Sequence, residues 1–225
     1  MASAQEAVRV SISDSPPISL ANAATKDFEG LAVDLVRQIG ADAGFTPRLD
    51  MIAFGAMLAA LGEGKTDVIV MSGSDERRRV ARFSEPFARY GEALLVRRED
   101  TTAYRGLDEL KDKLVGSNAG GGWIDAATRA GAKIVTFGSA ELSLNALQKN
   151  EVQAVIGNAP TYRYLMQHGA FSNVRMAASY APRQLNELAF GVRPADDRLL
   201  QRINASLKKL AESGVLDQLR TKWGF

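Results

Sequence analysis

The chain has no cysteine and a single histidine, His168, in 225 residues. Without thiols there are no disulfides and no thiolate metal site. His168 precedes Gly169, has no second ligand at a familiar metal spacing, and reads as a helix C-terminal residue. A dominant charge is also lacking. The net charge of +2 is too small to argue for nucleic acid or a membrane surface. No apolar run approaches the ~18 residues a membrane helix needs. Met1-Ala2-Ser3-Ala4-Gln5 lacks the apolar core of a cleavable leader, although Ala2-Ser3-Ala4 resembles a small-residue cleavage site; an expressed mature chain with an added Met would look like this, and so would a cytosolic protein. No nucleophile elbow, paired-carboxylate signature, P-loop or metal motif occurs, and no cofactor is expected.

What remains is ordinary globular composition, 46% hydrophobic and 24% charged. The length suits one large domain or two lobes. Val8 to Ile12 alternates as a strand and ends at Ser13-Asp14-Ser15-Pro16-Pro17. Leu31, Leu35, Val36, Ile39 and Ala43 fall at helical spacing before a Gly44 stop. A strand over 48–52, a short helix over 56–61 and a buried parallel strand over 67–71 follow. Ser74 then reads as the cap of a helix over 75–82, and 93–97 as a strand. The alternation restarts: strands over 114–117, 133–137 and 152–156, with helices over 123–130, 139–148 and from Pro160 to about Gln167. A strand over 188–192 and a helix carrying Leu199, Leu200, Ile203, Leu207 and Leu210 close the chain, with a break at Gly214.

This alternation predicts α/β architecture with two doubly wound lobes. Ala60 to Ser74 (ALGEGKTDVIVMSGS) is echoed by Ala146 to Pro160 (ALQKNEVQAVIGNAP), one strand-building device per lobe. The chain crosses to the second lobe near Arg97 to Asp100. Whether it returns near Ala189 to Pro194 is left open by the pattern alone.

In such sheets ligands bind beyond the carboxyl ends of the strands. The loops there are Ser13-Asp14-Ser15, Met71-Ser72-Gly73-Ser74, Asn118-Ala119-Gly120-Gly121-Gly122 and Gly157-Asn158, all small and hydrogen-bonding. By spacing alone Arg77, Arg78, Arg79 and Arg82 read as a solvated helix face, although a guanidinium at Arg77 could fork onto a carboxylate. Phe54 and Trp123 sit beside two of these loops, as core residues or as ligand walls. Asn158 is a turn or N-cap residue before Pro160, or a ligand contact. Asp34 and Asp67 read as structural.

The runs GEGKTDVIV, ERRRVARFSEPF, GEALLVRRED, EGLAVDLVRQI and LAESGVLDQLRTKWGF, in order along nearly the whole chain, resemble the family 3 extracellular solute-binding proteins. These are the amino-acid-binding components of bacterial ABC importers. The resemblance implies a type II periplasmic-binding-protein-like fold: two lobes joined by a two-strand hinge and closing on a ligand. Lobe one would be 1–97 plus 191–225, and lobe two 98–190. It implies a periplasmic monomer, with its signal peptide removed, that binds a small carboxylate-bearing molecule and docks on ABC-transporter membrane subunits. It implies no enzymatic activity. By the same resemblance Arg77 grips the ligand carboxylate, Ser72 and Gly73 assist, and Phe54 covers the ligand's side chain. Gly121 and Gly122 replace the hydroxyl residues usual in the second lobe and leave backbone N–H groups.

Two departures stand out. The stretch from Val70 to Arg77 is about two residues shorter than the common pattern. Asn158 falls where the family has the Asp that pairs with a ligand's α-ammonium. With Arg77 unopposed there, the pocket would be cationic and suit an acid lacking an amine, unless Asp14 or Glu187 supplies the charge. Sensor domains of membrane receptors and histidine kinases share the fold, as does a dehydratase of prephenate and arogenate. The dehydratase's general-acid Glu falls at Thr161, which is no acid.

Overall fold

The computed structural model describes residues 5–118, 121–183 and 185–225. Ala2-Ser3-Ala4 and, in the glycine-rich loop, Ala119 and Gly120 lie outside them. The chain divides into two compact units, Met1–Arg89 with Asn186–Phe225, and Tyr90–Leu185.

The first segment runs β1 (Glu6–Ile12), β2 (Leu20–Asn22), β3 (Asp27–Glu29), α1 (Leu31–Ala43), β4 (Phe45–Met51), α2 (Met57–Gly62), β5 (Val68–Ser72), β6 (Arg82–Phe83) and β7 (Ala88–Tyr90). The second runs β8 (Glu92–Arg97), β9 (Leu114–Asn118), α3 (Gly122–Arg129), β10 (Lys133–Phe137), α4 (Ala140–Gln148), β11 (Ala154–Asn158), α5 (Ala159–His168) and β12 (Val174–Met176). β13 (Asn186–Val192), α6 (Asp197–Glu212) and α7 (Val215–Lys222) complete the first unit.

Local sequence explains most of these elements. Leu31, Leu35, Val36 and Ile39 lie on one stripe of α1 and are all buried. Gly44 ends the helix at φ 75°, a left-handed conformation that costs a residue with a Cβ, and its N–H reaches the Gly40 carbonyl. Ser139 caps α4 by accepting the Leu142 N–H at 3.1 Å. Gly214, at φ 76°, separates α6 from α7.

In the first unit the strand order is β4-β1-β5-β13-β6, with β7 on β13. β5 runs parallel to β1 and antiparallel to β13, and every residue of it is buried. The second sheet has the order β10-β9-β11-β8-β12. β9, β10 and β11 are parallel there, while β8 and β12 pair antiparallel. One core of this unit gathers Leu94, Val96, Val115 and Ile156, and another Leu95, Leu144, Val155 and Tyr162. These residues alternate along β8 and β11, so the sheet buries both faces. Among the described residues no helix is long and apolar enough to cross a membrane.

Three expectations need correction. The helix over 75–82 does not form. A single 3-10 turn, Arg77–Arg79, is followed at once by β6. The pull is tertiary: Arg82 and Phe83 pair with Val192 and Gly191 of β13, which outweighs the helix propensity of an arginine run. The division after residue 97 falls instead after Arg89, because β8 hydrogen-bonds along β11. The return at residue 191 falls instead at Asn186, because Leu188 to Val192 pair with β5.

Candidate functional site

In the first unit, β5 delivers Ser72 and Gly73 to its carboxyl end. The 3-10 turn that follows brings Arg77 back over that end, where its Nη1 donates to the Ser72 carbonyl at 2.8 Å. The Ser74 hydroxyl accepts the Arg77 N–H at 3.3 Å, so the cap expected of Ser74 exists on a turn rather than a helix. The Arg77 guanidinium lies over the Phe54 ring, 5.2 Å from its centre. Phe54 is itself in a 3-10 turn before α2. Arg77, Ser72, Gly73 and Phe54 are thus brought together. A guanidinium of this kind has the planar donor geometry that matches a carboxylate. Asp14 is exposed in the loop after β1.

The neighbouring arginines behave differently. Arg78 lies 5.5 Å over Phe83, and a Cβ on Gly73 would meet its guanidinium at 2.8 Å. Arg82 pairs with Asp197 on α6.

In the second unit, β11 ends at Asn158, 8% exposed. Its Oδ1 accepts the Thr161 N–H at 3.3 Å and so caps α5, with Pro160 in the first turn. An N–H cannot donate to an NH2 group, so this contact fixes which end of the amide faces the helix. The same oxygen keeps a second lone pair beyond the cap.

Around Asn158 lie groups that the sequence pattern does not reveal. Glu92, the first residue of β8, is its register partner across the β8–β11 pair. Glu92 is 5% exposed, and its Oε1 accepts from both the Tyr180 hydroxyl and the Arg183 backbone N–H at 2.9 Å. Burial and the adjacent Glu92 carboxylate push the Tyr180 phenol up. Asn118 Oδ1 and Thr161 Oγ1 are buried without a hydrogen-bond partner. A β8–β11 register cannot be read from one sequence, so Glu92 gave no signal there.

Gly121 caps α3 from an extended conformation and Gly122 opens the helix. The Trp123 indole folds against Gly121 and donates from Nε1 to the Ser117 hydroxyl at 3.2 Å. It also packs on the core of Leu94 and Ala126, which fits the structural alternative for this residue. Glu187 is paired with Arg89 at 2.8 Å.

Asp34 and Asp67 do structural work. Asp34 accepts from Lys222 Nζ at 2.7 Å and Trp223 Nε1 at 2.9 Å, pinning α7 to α1. Asp67 receives Arg9 through backbone and side chain, and Arg193 Nη2 at 3.0 Å. Burial would raise its pKa, but the Arg9 and Arg193 hydrogen bonds and charges outweigh that and bring it to about 2. His168 ends α5, with Nδ1 2.9 Å from the Tyr164 carbonyl.

Known proteins agree with this architecture. A probable amino-acid ABC transporter-binding protein of Haemophilus influenzae is 24% identical over 197 residues, covering 86% of this chain and 75% of its own. The crystal structure of a variant of ArgBP from T. maritima is 25% identical, with a TM-score of 0.86, covering 96% of this chain and 94% of its own. A histidine kinase sensor domain with similarity to periplasmic binding proteins, 23% identical, shares the fold at a TM-score of 0.89, covering 97% and 96%. The sequence profile of the bacterial extracellular solute-binding proteins, family 3, matches residues 8–225, and the chain belongs to that family. Its fold is the type II periplasmic-binding-protein fold.

Proposed function

We propose that this protein captures a small carboxylate-bearing ligand, an amino acid or an amino-acid-like organic acid, outside the cytoplasm. It then presents the ligand to the membrane subunits of an ABC transporter. One observation carries the reading. Arg77 is held at the end of β5 by the Ser72 carbonyl and backed by the Phe54 ring, a cation preorganised for a carboxylate. Ser72, Gly73, Phe54 and Asp14 contribute from the same unit.

The protein acts as a monomer that binds and does no chemistry. Thr161, the residue in the position of a dehydratase's general acid, is a buried hydroxyl in the first turn of α5 and transfers no proton as a carboxylic acid would. Ligand binding shifts the population toward the conformer that the membrane partner reads. A thermal-shift screen of amino acids and related organic acids tests the reading, because a ligand for the native state raises the melting temperature. Mass spectrometry of small molecules retained through purification identifies the natural ligand. A carboxylate-bearing compound is expected in both. A protein that responds to none of them refutes the proposal.

A further inference from the structure

We propose that Glu92 is a positioning residue of the second unit. Its carboxylate bolts the segment by which the chain leaves that unit onto the strand by which it enters, so that both passages are held at one point. The inference concerns the second unit alone and holds whatever ligand the protein takes.

The chain enters the second unit at Tyr90 and leaves it at Leu185. Glu92 opens β8, just inside the entry. On the way out, the ladder between β12 and β8 ends early. Val174, Arg175 and Met176 pair with Arg97, Val96 and Leu95, and the Ala177 N–H reaches the Leu94 carbonyl at 2.8 Å. After Ala177, no backbone hydrogen bond ties residues 178–183 to β8 among the described residues.

The Glu92 side chain takes over there. It is 5% exposed, and among the described residues it is the one charged residue that is buried. A buried carboxylate needs hydrogen bonds to offset its lost hydration. Glu92 Oε1 accepts two, from the Tyr180 hydroxyl and the Arg183 backbone N–H, both at 2.9 Å. Arg183 thus meets a carboxylate where a strand residue would meet a neighbouring carbonyl, and bonds to a charged acceptor are the stronger kind. The Tyr180 ring packs beside the core of Leu94 and Leu107.

A second observation does not depend on charge. A Cβ on Gly91 would lie 2.5 Å from the Pro182 Cβ, too close for any side chain. The outgoing segment therefore rests directly on the incoming backbone, and glycine is what permits it. The Gly91 carbonyl also accepts the Ala159 N–H at 3.1 Å, which ties the entry to the first turn of α5. A conformational change that bends the chain at its passages then carries residues 91–92 and 180–183 as one piece.

The test is amide hydrogen exchange, followed by NMR on the ligand-free full chain and read at Tyr180. The Tyr180 N–H is bonded to the Ala177 carbonyl at 3.1 Å, a partner that substitution of Glu92 does not touch. Its exchange therefore reports release of the segment rather than a lost acceptor. In Glu92→Ala it is expected to speed up by roughly tenfold or more, with the amides of α4 unchanged. Glu92→Gln, whose side-chain oxygen still accepts, is expected to stay within about threefold of wild type. Gly91→Ala keeps the carboxylate but displaces Pro182, and is expected to match Glu92→Ala. An unchanged rate at Tyr180 in Glu92→Ala would overturn the inference. So would equal acceleration through α4, which is a general loss of stability. A Glu92→Gln rate equal to that of Glu92→Ala would overturn it too, because the accepting oxygen would then not be the bolt. Should Glu92→Ala not fold, Gly91→Ala read at the same amide decides by the same criteria.

Discussion

The two units end a central strand with the same kind of residues, Ser72-Gly73 in one and Gly157-Asn158 in the other, yet they use them for opposite purposes. On the first, the small residues clear space for cations. Arg77 is bonded to the Ser72 carbonyl, and Arg78 lies where a Gly73 side chain would be. On the second, the small residues serve the helix behind them. Asn158 caps α5, and a Cβ on Gly157 would meet the Tyr162 ring at 2.8 Å. The acidic residue opposite Asn158, Glu92, stands on the next strand. A shared sequence pattern thus marks where a strand ends without saying which residue carries the charge.

Substitutions can break this contrast. Gly157→Val is expected to have the largest effect, about 1–3 kcal/mol of destabilisation, because Tyr162 is fully buried and bonded to Ser143 at 2.9 Å and cannot swing aside. Asp67→Asn, at the base of the first unit's β5, should cost about 2 kcal/mol near neutral pH. The folded pKa of Asp67, about 2, lies below its ordinary value of 3.8. Its contribution is therefore fully present above that ordinary value and is lost as pH falls toward 2. Denaturant titrations of wild type and Asp67→Asn should converge over that range. Asn158→Ala removes a helix cap and should cost about 1 kcal/mol, with Asn158→Asp retaining it. Gly73→Ala is expected to be smallest, within about 0.5 kcal/mol, because its neighbour is the far end of a flexible arginine. A Gly73→Ala penalty equal to that of Gly157→Val would erase the distinction.

The same two strand ends show how far sequence reaches. Strand β5 and helix α1 were legible because their apolar positions and stop signals are local. So was the cap-like setting of Asn158 before Pro160. The turn at Arg77 was not, since pairing with β13 cuts short what an arginine run would otherwise continue as helix. Helix α7 was missed because it buries only Leu216, too little for an apolar stripe. The short strands β2, β3 and β12 have three residues each, below what alternation can reveal. Arg77 was singled out by resemblance alone, and the place of Glu92 opposite Asn158 is visible only in the strand register.

The measurement that bears most directly on the central claim is calorimetric titration of Arg77→Ala with the compound that binds wild type best. The account predicts no measurable binding by a variant that melts as a folded protein. Affinity within about twofold of wild type would contradict it, since a site that keeps its ligand without the guanidinium does not hold the carboxylate there.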